Sequence, residues 1–298
     1  MKHPFFFVCT LVFLAVACQK KTSPPALPEQ PARQKTFAPG VDLGEVQNAK
    51  IDEASGLVAS QQHAGTYWTH NDSGDKARIF AVSETGQDLG TFLLEGITLN
   101  DHEDIALGKG SIFLGDFGDN RAKRSEYIIY HFPEPSPEAS GTKHEIEAKS
   151  IAAIRFRYPD GARDAETLLY DPWSDSLFVL TKREQRVRLY RLPSQSPDPE
   201  TILTAVFLID LPYHMSVGGD ISADGSEILI KSYQEVFYWK RPEGMPLATA
   251  LQQNPEVLDY DPEPQGESIA WKADGSGFFT VSEERHQIPA QMRFYARR

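Results

Sequence analysis

From residue 40 onward the chain shows little helical periodicity and carries short apolar runs instead. The runs "GTYWTHN", "ARIFAVS", "SIFLGDF", "YIIYHF", "AAIRFRY", "SLFVLTK", "EILIKSY", "EVFYWK", "GFFTVSE" and "MRFYAR" are each aromatic or β-branched. Each is bounded by Gly, Pro, Asp or Asn, residues that end strands and form turns. The pattern predicts many short strands and an all-β fold, with a sandwich, a barrel and a propeller as the available architectures.

A weak internal repeat selects among them. Five segments share an acid, a small or polar residue and then an apolar stretch. They are "DEASGLVAS" at Glu53, "NDHEDIALG" at Glu103, "RDAETLLYD" at Glu166, "VGGDISADG" at Asp220 and "PQGESIAWK" at Glu267. Their spacing is roughly 50 residues, with one longer step between Glu103 and Glu166, and each unit has room for four strands. The expected fold is a single β-propeller over residues 40–298 with five blades. The segment "GVDLGEV", residues 40–46, is expected to supply the outer strand of the last blade and so close the ring. A six-bladed ring is the alternative and would need a blade hidden in the long interval between Glu103 and Glu166.

This architecture gathers residues that lie far apart in sequence. The first strand of each blade lines the channel, and the second strand returns to the same face. One rim is therefore expected to collect Glu53, Glu103, Glu166, Asp220 and Glu267 from the inner strands. It would also collect Asn71 and Asp72 from "HNDSGD", and Asp116, Asp119 and Asn120 from "GDFGDN". Crowded carboxylates repel one another, and a cation relieves this. Oxygen-only donors favour Ca²⁺, with Mg²⁺ the lesser choice. The same residue types are also ordinary turn formers through their own side-chain hydrogen bonds. His70, His102, Lys182, Arg183 and Lys231 are the candidate ligand-binding residues of the rim. With basic residues on blades three and four and acids on blades one and two, the mouth suits an anionic ligand bridged through a cation. His70 and His102 also read as rim histidines with hydrogen-bond partners, and the four Trp as blade-packing aromatics.

The N-terminus reads differently. "MKHPFFFVCTLVFLAVAC" has an early Lys2 and an apolar run too short to span a bilayer, so residues 1–17 read as a signal peptide. The run ends in "LAVAC", which resembles a bacterial lipobox with Cys18 as the lipidated residue. Gln19 resembles the sorting pattern of outer-membrane lipoproteins, facing the periplasm or the cell surface. Residues 18–39, rich in Pro, Lys and Gln, read as a tether. The only cysteines, Cys9 and Cys18, both fall in the leader, so the folded domain has no disulfide and no thiol for zinc.

The chain of 298 residues is 40% hydrophobic and 24% charged, with a formal net charge of −12. That balance gives no basic footprint for nucleic acid. Ser73 and Ser268 lack a nucleophile-elbow context, and no phosphate-binding glycine loop, CxxC or HExxH is present.

The motifs "SGLVAS", "YWTHNDSGD", "DHEDIAL", "FLGDFGDN" and "FPEP", within residues 53–135, resemble those of a family of uncharacterised secreted bacterial β-propeller proteins. The "DAET", "GGDIS" and "GESIA" repeats are more distantly similar to phytase-like and esterase-like propellers, some of which bind calcium along the axis. The resemblance implies fold and secretion, and the chain lacks the "DDPA" signature of propeller phytases. Two functional readings follow. One is a membrane-anchored lipoprotein whose rim binds a small-molecule or protein ligand, with a Ca²⁺ site at the mouth. The other is a metal-dependent hydrolase of phosphate esters, sugars or lactones, in which Glu103 with Asp116 or Asp119 holds the metal and Lys182, Arg183 and Lys231 hold an anion.

Overall fold

The short apolar runs fold into strands of two to seven residues. The computed structural model describes residues 35–137, 141–196, 198–285 and 288–298. The expected signal peptide, the lipidation site at Cys18 and most of the tether lie outside the described residues. Within the unit Lys35–Arg298, β1 (Val41–Glu45) comes first. The first blade is the antiparallel meander β2 (Ala54–Ala59), β3 (Thr66–Asn71), β4 (Arg78–Ser83) and β5 (Asp88–Leu94). The second begins with β6 (His102–Gly108), β7 (Ser111–Asp116) and β8 (Tyr127–Pro133). The chain then leaves it: β9 (Lys143–Ile146) pairs in parallel with β5, and β10 (Ala152–Arg157) returns to complete the second blade against β8.

The third blade is β11 (Ala165–Asp171), β12 (Ser176–Thr181), β13 (Val187–Pro193) and, after β14 (Leu203–Thr204), β15 (Val206–Leu211). The short β14 adds in parallel to β10. The fourth blade is β16 (Gly218–Ile221), β17 (Glu227–Lys231), β18 (Val236–Lys240) and, after helix α1 (Leu247–Leu251), β19 (Glu256–Val257). The fifth is β20 (Ser268–Trp271), β21 (Gly277–Val281) and β22 (Gln291–Ala296), with β1 as its outer strand, paired from Val41 opposite Phe294 to Glu45 opposite Gln291.

The inner strands β2, β6, β11, β16 and β20 pack against one another in that order, and β20 packs against β2. The fold is a five-bladed propeller. The long interval that would have hidden a sixth blade instead carries β9, which extends the edge of the first blade.

Period-two alternation explains the packing. Successive side chains of a strand face opposite neighbours. On β7, Phe113 joins the core between blades two and three, while Ile112 and Leu114 join the core between blades one and two. Five apolar clusters result, one at each blade interface.

The folded unit reaches further toward the N-terminus than the Pro-rich composition implies. Phe37, inside the expected tether, is buried in the cluster between blades four and five. Its ring meets Phe278 and Tyr238 edge-on, with centroids at 5.1 and 5.5 Å.

The inner ring is also stitched by polar side chains, one per junction. Ser55 Oγ donates to the Glu103 carbonyl at 2.6 Å. Asp104 accepts from the Leu168 N–H at 2.7 Å. Thr167 and Ser216 share a hydrogen bond of 2.8 Å. Asp220 accepts from the Trp271 N–H at 2.8 Å, and Ser268 Oγ donates to the Ser55 carbonyl. Each bond ties an inner strand to the next blade.

Candidate functional site

The rim is set one residue before this stitch. That position is Glu103 in blade two, Glu166 in blade three and Glu267 in blade five, and all three are buried. The pairing of β6 with β7 slips between His102 and Asp104, and that of β11 with β12 between Ala165 and Thr167. Such irregularities re-aim the residue they contain, here Glu103 and Glu166. In blades one and four the rim position holds Ala54 and Gly219. A Cβ at Gly219 would lie 2.9 Å from Leu169 and from the Leu229 carbonyl, so no side chain fits.

Two expected rim acids are therefore corrected. Asp220 belongs to the stitch, half-buried and committed to the Trp271 N–H. Glu53 is exposed, and it is its carbonyl that is used, accepting the Asp72 N–H at 2.8 Å. The expected five-acid ring is a set of three inner-strand glutamates joined by acids from flanking positions.

Those flanking acids are Asp72, Asp101, Asp164 and Glu283. Carboxylate oxygens of Asp72, Asp101 and Glu103 lie within 4.8 Å of one another. The same holds for Asp72, Glu267 and Glu283, and for Glu103, Asp164 and Glu166. Asp101 and Asp164 were legible in principle. Each stands two residues before a rim glutamate, and residues i and i+2 share a strand face.

One ammonium group serves part of this set. Lys182, buried, pairs with Glu166 and lies 3.9 Å from Glu267. It also donates to the Tyr233 hydroxyl at 2.9 Å, and that hydroxyl donates to Glu267. Burial alone would lower the Lys182 pKa, but the two carboxylates reverse this and hold it above its usual range. Burial pushes Glu166 up to about 8 despite Lys182. It also raises Glu267. Burial and the neighbouring Glu166 charge push Glu103 well above the carboxylate range. Burial, with the charges of Asp72 and Asp164, brings Asp101 to about 6.

The expected basic side of the mouth does not survive as free charge. Lys182 is neutralised as described. Arg183 Nε donates to Asp164 at 2.5 Å, and its guanidinium also meets the side-chain oxygen of Asn120. Lys231 is fully buried, donates to the Gly266 carbonyl and faces the Tyr260 ring. Burial lowers its pKa to about 8.

The "GDFGDN" acids are structural. Asp116 accepts from the Asn100 and Asp101 N–H groups at 3.1 and 3.0 Å and from Arg124 at 2.9 Å. Asp119 accepts from the Lys123 and Arg124 N–H groups, each at 2.7 Å, and from the Tyr127 hydroxyl at 3.0 Å. Neither faces the carboxylate cluster as a free donor.

The side-chain amide of Asn71 donates to the Lys50 carbonyl, Asp52 and Asp75, while its buried Oδ1 has no hydrogen-bond partner. His70 and His102 lie buried, ring centroids 5.1 Å apart. His70 accepts the Gly56 N–H at 3.2 Å through Nε2 and approaches the Asn71 carbonyl at 2.7 Å through Nδ1. Both ring nitrogens of His102 lack hydrogen-bond partners, contrary to expectation. Trp68, Trp239 and Trp271 pack in blade cores, but Trp173 sits in the β11–β12 turn and is exposed.

The trio Asp72, Asp101 and Glu103 stands out electrostatically. Among the described residues, no Lys or Arg forms an ion pair with any of them. Gly118 backs the trio closely: a Cβ there would strike Glu103 Oε1 and lie 2.6 Å from the Asp101 carboxyl carbon. Beside it opens a cavity of about 570 Å³ between the β3–β4 and β7–β8 loops.

No family model matches the chain, and no curated protein matches it. Among solved structures, a chain in a crystal structure of a nidogen/laminin complex is similar with a TM-score of 0.47 and 12% identity. That likeness covers 78% of this chain and 73% of that one.

Proposed function

We propose that this is a ligand-binding propeller whose channel mouth takes a divalent cation, Ca²⁺, between Asp72, Asp101 and Glu103. The observation that carries the reading is the convergence of three carboxylates with no Lys or Arg among the described residues in an ion pair with them. Oxygen-only ligation suits a hard cation, and Ca²⁺ tolerates irregular geometry better than Mg²⁺. Gly118 leaves room for the carboxylates to close on an ion. With Cys18 lipidated, the domain would work at the outer membrane, on its periplasmic or cell-surface face. The hydrolase reading is weaker, because Asp116 and Asp119 are committed to backbone and Arg124 and the three expected anion-holding cations are already engaged.

Thermal melting with Ca²⁺, Mg²⁺ and EDTA tests the site. At a hundredfold excess over Kd, linkage gives about 2.7 kcal/mol. For a domain of this size that is a rise in Tm of roughly 5–10 °C. The rise should vanish in Glu103→Gln and Asp101→Asn. No Ca²⁺-dependent rise at saturating ion, or a rise that both variants retain, refutes the assignment.

A further inference from the structure

We propose that the cavity beside the mouth binds an acidic sugar, a small polyol bearing an oxyanion, through Arg121 and Lys123. The loop that follows β7 alternates in role. Asp119 and Arg124 turn inward and pin it: Asp119 accepts two N–H groups, and Arg124 donates to Asp116 and to the Gly118 carbonyl. Ala122, at φ 47°, reverses the backbone between them. Arg121 and Lys123 are left pointing outward. Both are exposed, both line the cavity, and neither has an ion-pair or hydrogen-bond partner for its side-chain cation among the described residues. A pinned loop removes the backbone part of the ordering cost on binding and leaves that of the two side chains.

The rest of the wall fixes the ligand class. Ser73, Asp101 and Asn120 add a hydroxyl, a carboxyl and an amide, groups that bond to hydroxyls. The cavity, about 570 Å³, suits a ligand of one or two sugar rings. A guanidinium fork beside an ammonium suits a carboxylate or phosphate oxyanion. Arg121 and Lys123 are not ligands of the proposed cation, although Asp101 is shared with that site, so the oxyanion contacts are tested in EDTA.

Isothermal titration with galacturonate, glucose 6-phosphate and galactose separates the possibilities. At least one of the two anionic sugars should bind with Kd at or below about 1 mM, and galactose should bind at least tenfold more weakly. Which anion binds tells carboxylate from phosphate. Arg121→Ala and Lys123→Ala, at exposed positions, should each weaken binding by tenfold or more without changing the Tm. Absence of binding by both anions in EDTA overturns the proposal. So does equal binding of galactose, or anion binding that both variants retain.

Discussion

Lys182→Met isolates the electrostatics of the mouth. The substitution keeps an unbranched side chain but removes the ammonium that pairs with Glu166 and lies 3.9 Å from Glu267. In the wild type, the raised pKa of Lys182 keeps it charged far above neutrality, so its contribution is constant between pH 5 and pH 8. The glutamates behave differently. A carboxyl whose folded pKa is raised has its full stability below the unfolded value and loses it as pH rises through the folded one. Glu166 already stands at about 8 with Lys182 in place. Glu166 is therefore largely protonated below pH 8 even in the wild type, and without the cation a further rise in its pKa adds about 1.4 kcal/mol per pH unit of that rise only as pH reaches and passes 8, where a charged glutamate would be buried and unpaired. At pH 5 that penalty is small and the variant should lose about 1–2 kcal/mol, mainly the hydrogen bond to Tyr233. At pH 8, where Glu166 ionises beside Lys182 in the wild type, the loss should be larger, up to the about 3–5 kcal/mol of breaking a buried pair from one side. Guanidinium unfolding of both proteins at the two pH values reads the difference. Adding Glu166→Gln to the variant should restore part of the stability at pH 8. Equal losses at pH 5 and pH 8 would show that Lys182 is not the counter-ion of this cluster.

Three further substitutions probe other parts of the structure. A Cβ at Gly118 would strike Glu103 and crowd the Asp101 carboxyl, so Gly118→Ala should cost about 1–3 kcal/mol of unfolding free energy while the Ca²⁺-dependent rise in Tm disappears. A retained rise would place the ion elsewhere. Phe37→Ala empties an enclosed aromatic site between blades four and five and should cost about 3–4 kcal/mol in denaturant unfolding, whereas a freely moving tether residue would cost nothing. Burial lowers the pKa of His102 and takes that of His70 to about 3. Their contribution is complete above pH 6.5 and declines as pH falls, so His102→Phe should gain on the wild type in melts taken from pH 7 down to pH 4. A difference independent of pH would contradict the buried neutral imidazole.

The strands are legible because short aromatic and β-branched runs and turn residues are local signals, and the five cores at the blade interfaces follow from strands apolar on both faces. What the sequence hid was position to within one residue. Asp220 and Glu103 look equivalent in the repeat, yet one stitches a junction and the other faces the cluster. The pairing slips at His102/Asp104 and Ala165/Thr167 that separate these roles leave no mark in composition. The partners of charges were equally hidden. Lys182, Arg183 and Lys231 read as a basic rim, but long-range pairing consumes all three. Arg121 and Lys123 drew no notice because their exposure depends on an alanine with positive φ. Phe37 falls within the tether by composition because the prolines and lysines before it outweigh one aromatic residue.

The distribution of charge around the ring follows from what each blade does at the rim position. Blades one and four carry Ala54 and Gly219 there, so the inner-strand acids come from blades two, three and five. Lys182 rises from blade three between Glu166 and Glu267 and satisfies that side of the mouth. Glu103 shares oxygens with both sides, near Asp164 and Glu166 on one and near Asp72 and Asp101 on the other. A buried carboxylate in that position has two stable states: protonated, or charged beside a cation. Burial favours the first in the protein alone. The second requires a cation from outside, because the nearest lysine is already held by two glutamates and a tyrosine. Ion binding at Glu103 must then release a proton, so Ca²⁺ affinity should rise with pH wherever Glu103 remains protonated in the free protein. Calorimetry in two buffers of different ionisation enthalpy counts the protons released: at pH 6 Asp101, at about 6, supplies about half of one, and a release no greater in the wild type than in Glu103→Gln would mean that Glu103 is not a ligand.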